Sequence, residues 1–164
     1  MSAFYTLLFV APTSDAESIA NDVDEDANER YPNAWLDHIG DLELIEPWNI
    51  LQPGVGAETL LDEMAFASPD GETIVVKVPV GFVEAVNSVS SNRVNDIATQ
   101  WQASELMADW PLADVVGVFD ELSAVCRKSV EAATPLLQVA SHVGTHRVSP
   151  TVTQFEMRHI LSLT

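Results

Sequence analysis

The sequence predicts a single α+β domain, residues 1–164, in which about five or six helices pack on a small sheet of about four strands. Its length of 164 residues fits one domain. An apolar content of 47% supplies a core that needs no disulfide or metal to reinforce it. Patterns typical of strands and helices follow in the order strand, helices, strand, helices, strand, strand, which favours helices packed on a sheet.

Four segments have the composition of strands. The first is rich in aromatic and β-branched residues and ends before Pro12. The second follows the turn signal Ser68-Pro69-Asp70-Gly71, and the third follows Pro135. The last alternates apolar and polar residues, so a strand is favoured there and a terminal helix is the alternative. The predicted strands are 3–10, 73–80, 136–141 and 152–163.

Six segments have helical patterns. Ser14 and Glu17 match a capping box at the start of the first helix, whose thin apolar stripe predicts a position on the surface. The segment 33–51 is predicted to form a short helix followed by irregular packed chain, because Gly40 and Pro47 interrupt it. The other predicted helices, with the first, are 15–30, 57–67, 82–89, 93–108 and 112–132.

The charge is unevenly distributed along the chain. There are 25 acidic residues against 7 basic ones, and the net charge is −18. The acidic half, 1–72, holds 16 acidic side chains and one basic side chain, whereas the near-neutral half, 73–164, holds 9 acidic and 6 basic ones. Such a surface repels nucleic acid and anionic membranes and attracts basic protein surfaces. We therefore expect a basic protein as partner, and neither nucleic acid nor a membrane.

Cysteine content and hydropathy bear on the cellular compartment. Cys126 is the only cysteine, so no disulfide forms within the chain and a reducing compartment is favoured. The apolar opening segment lacks the basic region of a signal peptide. No run approaches the ~18 apolar residues of a membrane span. These observations predict a cytoplasmic protein.

Asp22, Asp24 and Asp26 form the opening of a calcium-binding pattern. In an EF-hand loop the sixth position is glycine and the twelfth is a glutamate that binds the ion with both oxygens. Those positions here hold Ala27 and Asn33. A solvated acidic helix face is therefore favoured over a calcium site.

His142 and His146 have the spacing that places two imidazoles on one face of a helix. Gly144 between them and Pro150 after them disfavour a helix. His159 would join them only through tertiary folding. A small metal-binding domain or enzyme using His142, His146 and His159 is therefore kept as an alternative function.

Catalytic motifs are not found in the sequence. It has no G-x-S-x-G elbow and no glycine-rich phosphate loop. Cys126 lies on the predicted apolar stripe of its helix, which favours a buried thiol. The sequence therefore favours a non-enzymatic protein and predicts no cofactor.

Acidic and aromatic residues of the acidic half are the candidates for partner binding. Trp35 and Trp48 lie in an acidic stretch, where an exposed indole among carboxylates would suit a binding hot spot. Core packing is favoured for both, with partner binding kept beside it, and Trp101, on a helical stripe, is predicted to be core. The candidates are Asp22, Asp24, Glu25, Asp26, Glu29, Trp35 and Trp48.

The stretch 73–139 carries a series of short motifs. They are a strand ending at Pro79, a helix beginning at Phe82, Trp101-Gln102-Ala103-Ser104-Glu105-Leu106, a long helix after Trp110, and Pro135-Leu136-Leu137. The series resembles an uncharacterised family of small bacterial α+β proteins with no assigned function. The resemblance implies a bacterial α+β protein and no particular chemistry. In size and acidity such proteins are similar to proteins that neutralise toxins.

The leading expectation is a non-enzymatic interaction protein that presents its acidic half to a basic partner. An immunity-like inhibitor of a nuclease-like toxin is its most specific form. The alternative that the acidity reflects only a salty environment, with the function unknown, stays open beside the metal-binding alternative.

Overall fold

Five antiparallel strands form one sheet in a computed structural model, which describes residues 5–22, 29–54 and 63–141. The strands are β1 (Tyr5–Val10), β2 (Asn33–Asp37), β3 (Glu63–Ala67), β4 (Thr73–Lys77) and β5 (Leu136–Ser141). Their order in the sheet is β2-β1-β5-β4-β3, so β5 is central and β2 and β3 are the edges.

Five α-helices accompany the sheet within the described residues. They are α1 (Ala16–Asn21), α2 (Asp41–Leu51), α3 (Val80–Asn87), α4 (Val94–Gln102) and α5 (Leu112–Ala132). The predicted α+β class is confirmed, with five strands in place of about four. The predicted strand or helix at 152–163 lies outside the described residues.

β1 is buried on both faces because helices cover both sides of the sheet. Leu8 and Val10 pack in the larger cluster, which is built with residues of α2, α3, α4 and α5. Leu7 and Phe9 point the other way and pack with α1 in a smaller cluster. This two-sided burial explains why β1 is a continuous apolar run and does not alternate with polar residues.

The larger cluster holds the bulkiest buried side chains. Trp101 and Phe119 are fully buried there, as the apolar stripes of their helices predict. Cys126 lies in the same cluster. The prediction for α5 is confirmed at both ends, and so is that for β5.

α1 differs from its prediction in length and in its N-cap. It ends at Asn21, and its N-cap is Asp15, which makes no side-chain capping hydrogen bond, so the predicted Ser14 capping box does not form. Ile19 is wholly buried against the sheet, because α1 is the helix that covers the second face. Glu17 and Asn21 are exposed, so α1 lies on the surface with its thin apolar stripe packed against the sheet, as predicted.

The segment 33–51 is predicted wrongly, since it forms β2 and then the regular helix α2. Pro47 lies inside α2, and a proline has no N–H to donate to the carbonyl four residues earlier. That carbonyl belongs to Glu43, and it accepts a hydrogen bond of 3.0 Å from Nε1 of Trp101 instead. A tertiary contact thus replaces the helical hydrogen bond that Pro47 removes.

The predicted helix 57–67 is wrong in its second half, because Glu63–Ala67 form β3. The strand pairs with β4 across the turn at Ser68, Asp70 and Gly71, which the sequence does predict. Gly71 has a φ of 73°, a value that suits glycine. Strand pairing across this turn overrides the local helical pattern.

Two further predicted helices end earlier than expected. The segment 82–89 forms a helix that begins two residues sooner, at Val80, and ends at Asn87. The segment 93–108 is divided into α4, which ends at Gln102, and a separate 3-10 helix, Glu105–Met107.

Ala133 ends α5 in the left-handed conformation, with φ 50° and ψ 41°. This conformation costs a residue with a Cβ about 1–2 kcal/mol, and glycine avoids the cost. Glycine also gains freedom in the unfolded chain, which offsets part of this benefit. We therefore expect Ala133→Gly to raise the free energy of unfolding by a net amount of about 0.5–1 kcal/mol in urea denaturation. Ala132→Gly, one residue earlier inside the helix, should lower it by a similar amount. A loss of stability in both variants would contradict the prediction.

Candidate functional site

An open groove of about 340 Å³ lies where the end of β2 meets the first half of α5. We call it the tryptophan groove. On one side it is lined by Trp35, Asp37 and His38. On the other side it is lined by Trp110, Ala113, Asp114, Gly117, Val118 and Glu121. A Cβ added at Gly117 would meet no atom within 4 Å, so the groove is open to solvent there.

The β2 side of the groove is held by a turn. The carbonyl of Leu36 accepts a hydrogen bond from the N–H of Ile39 at 3.4 Å, and His38 has a φ of 62°. Thr6 in β1 donates its hydroxyl to the carbonyl of Ile39 at 2.7 Å, and this bond is buried. The turn that carries Asp37 and His38 is therefore fixed to the strand beside β2.

The α5 side of the groove follows from helical spacing. Asp114, Gly117, Val118 and Glu121 are three or four residues apart, so they share one face of the helix. The opposite face carries Phe119 and its neighbours into the core. The face that borders the groove is thus presented by a helix whose other side is firmly packed.

Both groove tryptophans are half-buried. The ring of Trp35 contacts the ring of Tyr5, with centroids 4.9 Å apart. Trp110 packs against the helical core, and its carbonyl accepts a hydrogen bond of 2.7 Å from Nε2 of Gln102. Each indole is therefore held by protein on one side and contributes the remainder to the groove.

The groove is acidic. Asp37, Asp114 and Glu121 are exposed carboxylates, and Nδ1 of His38 lies 3.4 Å from Oδ2 of Asp37. Neither lysine nor arginine is among the described residues that line it. Carboxylates and tryptophan faces both attract cations. The chemistry that this arrangement supports is cation binding.

Of the two tryptophans predicted as partner-binding candidates, only Trp35 reaches the groove. Trp48 is 4% exposed, donates Nε1–H to Oε1 of Gln52 at 2.8 Å, and packs edge-on against Phe82. It is a core residue, because α2 turns this side chain towards α3. Trp48 is therefore corrected from a binding candidate to a packing residue.

The acidic candidates of the first 30 residues do not line the groove where the structure describes them. Asp22 lies 3.4 Å from Nη2 of Arg30, and Glu29 is exposed. The remaining candidates, Asp24, Glu25 and Asp26, lie outside the described residues, and so do His142, His146 and His159. The metal predictions made from these residues are therefore not tested by the structure.

Sequence reasoning missed most of the groove. Trp110, His38 and the carboxylates of Asp37, Asp114 and Glu121 carry no local motif, and they come from both halves of the chain. The i, i+3, i+4, i+7 spacing on α5 was the available signal. It shows which residues share a face but not what that face borders.

Neither a metal cluster nor a reactive thiol is found among the described residues. Within 5–22, 29–54 and 63–141, no three His, Cys, Asp or Glu side chains are grouped to hold a metal ion. Burial raises the pKa of Cys126 to about 12, so its sulfur is a protonated thiol at neutral pH. Cys126 therefore contributes packing and not nucleophilic chemistry.

Comparisons of the chain with protein-family models, with curated proteins and with solved structures gave no match. In the part of the chain that the structure describes, none of the helices has the length and apolar character needed to cross a bilayer.

Proposed function

We propose that the protein is a non-enzymatic interaction module that binds a basic segment of a partner protein in the tryptophan groove. The observation that carries the proposal is the combination of two half-buried indoles and three exposed carboxylates in one groove. Aromatic anchors of this kind are typical of binding hot spots. An inhibitor of a basic, nuclease-like toxin in the bacterial cytoplasm is the most specific form of this proposal.

The net charge of −18 supports the proposal through long-range attraction. A strongly acidic surface increases the rate at which basic proteins are encountered and repels acidic ones. This attraction alone gives no specificity, since any polycation experiences it. A local effect of the groove must therefore be separated from the effect of the overall charge.

Two matched charge reversals on α5 distinguish the local effect of the groove from the effect of the overall charge. Glu121 lines the groove, whereas Glu131 is exposed on the same helix, ten residues or about 15 Å further along. Glu121→Lys and Glu131→Lys change the net charge equally. We expect Glu121→Lys to weaken the binding of fluorescein-labelled hexa-lysine and hexa-arginine about tenfold, because reversal replaces a favourable ion pair by repulsion.

Fluorescence anisotropy at an ionic strength of about 0.15 M, where the Debye length is about 8 Å, measures both affinities, and urea denaturation checks that both variants fold. Glu131→Lys should weaken binding by less than about twofold, since its charge is screened at that distance. Equal weakening by the two substitutions would contradict the proposal. It would leave overall acidity, of the kind that a salty environment selects, as the explanation of the charge.

A further inference from the structure

We infer that the tryptophan groove is selective for an arginine side chain over a lysine side chain of the partner. This inference rests on the proposed function and adds the identity of the recognised group. It follows from the aromatic walls, the placement of the carboxylates and the open shape of the groove, considered in turn.

The aromatic walls favour a guanidinium group. Trp35 lies on the β2 side and Trp110 on the α5 side, and each is held by packing on its far side. Tryptophan is the best aromatic partner for a cation. A guanidinium is planar and weakly hydrated, so it stacks on an indole at a lower desolvation cost than an ammonium group does.

The carboxylates approach from two different elements. Asp37 belongs to β2, whereas Asp114 and Glu121 lie on α5, seven residues and about two helical turns apart. Arginine presents five N–H donors in a rigid fork, and lysine presents three donors at one point. Carboxylate acceptors on two walls of the groove therefore suit the forked guanidinium of arginine better than the compact ammonium of lysine.

The shape of the groove favours a protein side chain over a small molecule. Its volume of about 340 Å³ is at the low end of the ~300–1,000 Å³ of small-molecule pockets. It is also open, and Asp37 is 63% exposed, so a free metabolite would stay largely in solvent. A side chain inserted from a docked protein surface needs no such enclosure, and the acidity of the groove is complementary to a basic surface.

The four tryptophans of the chain make a direct test possible. Nε1–H of Trp101 is hydrogen-bonded in the buried core and that of Trp48 is hydrogen-bonded to the half-buried Gln52, and neither residue lines the groove, so their signals serve as internal references. We expect hexa-arginine to shift the indole signals of Trp35 and Trp110 in proton–nitrogen correlation spectra, and to leave those of Trp48 and Trp101 in place. Single Trp→Phe variants assign the signals.

The affinities give the quantitative result. Hexa-arginine should bind about two- to fivefold more tightly than hexa-lysine, which has the same charge, and Trp110→Leu should remove this preference. Equal affinity for the two peptides, with Glu121→Lys still weakening both, would overturn arginine selectivity and leave the proposed function standing. Failure of Glu121→Lys to weaken either peptide more than Glu131→Lys does would overturn both. If choline shifts the Trp35 and Trp110 signals at a lower concentration than arginine methyl ester does, the preferred ligand is a small quaternary amine. That result would overturn the inference of an arginine side chain.

Discussion

Replacing Trp101 by alanine should lower the free energy of unfolding by about 4 kcal/mol. The side chain is fully buried in the larger core cluster, and its truncation leaves a cavity among helices that cannot collapse into it. The same substitution removes the indole Nε1–H that donates to the carbonyl of Glu43. Because Pro47 supplies no helical N–H, that carbonyl is left buried without its partner.

A double-mutant cycle separates the hydrogen bond from the cavity. Trp101→Phe keeps most of the ring volume and removes the N–H, so we expect it to cost about 2 kcal/mol. In a Pro47→Ala background the new N–H at position 47 can donate to Glu43, and the cost of Trp101→Phe should fall by about 1 kcal/mol. Equilibrium urea denaturation of the four proteins gives the coupling. If Trp101→Phe lowers the free energy of unfolding equally in both backgrounds, the indole hydrogen bond does not compensate for the helical N–H that Pro47 lacks.

Replacing Thr6 by valine should lower the free energy of unfolding by about 2 kcal/mol. Valine keeps the shape of threonine but removes the hydroxyl that donates to the carbonyl of Ile39 in a buried position. A buried acceptor without its donor costs about 1–3 kcal/mol. Since this bond fixes the turn that carries Asp37 and His38, we also expect weaker binding of hexa-arginine to the folded variant.

Thr99 provides the matched control for Thr6. Its hydroxyl also donates to a backbone carbonyl at 2.7 Å, that of Asn95, but this bond is exposed on α4. Water can replace the lost donor there, so Thr99→Val should change the free energy of unfolding by less than about 0.5 kcal/mol and leave peptide binding unaltered. Equal losses of stability at the two positions would contradict the argument, and so would unaltered peptide binding by Thr6→Val.

Local sequence patterns predict some elements of the fold better than others. The apolar stripe of α5 and the β-branched run of β4 are strong local signals, and the structure confirms helix and strand there. β2 and β3 are the sheet edges and are five residues long each; β3 does not alternate between buried and exposed residues, and the alternation in β2 spans too few residues to be a strong local signal. Pairing with β1 and β4 decides their conformation, and pairing is not visible in a local window.

The same distinction applies to the groove. Trp35 can be chosen from the sequence as an aromatic residue in an acidic stretch, but its neighbours Trp110 and Glu121 lie far along the chain. They meet Trp35 because α5 packs beside β2, and this packing is a feature of the tertiary structure. Trp48 has the same sequence context as Trp35, and only the direction of α2 sends it into the core. The division of charge between the two halves of the sequence likewise does not define the groove, which takes carboxylates from both.

The position of β5 between β1 and β4 has a consequence for biosynthesis. β1 leaves the ribosome well before β5, which is one of its two neighbours in the sheet. Pairing over such a long separation is slow, and an unpaired apolar strand is prone to aggregate with other chains. Nascent copies of this protein carry most of their negative charge in the residues that follow β1, and like-charged chains repel one another. We therefore expect the acidity to protect the incomplete chain from self-association before β5 is made, in addition to the partner binding proposed for the finished protein.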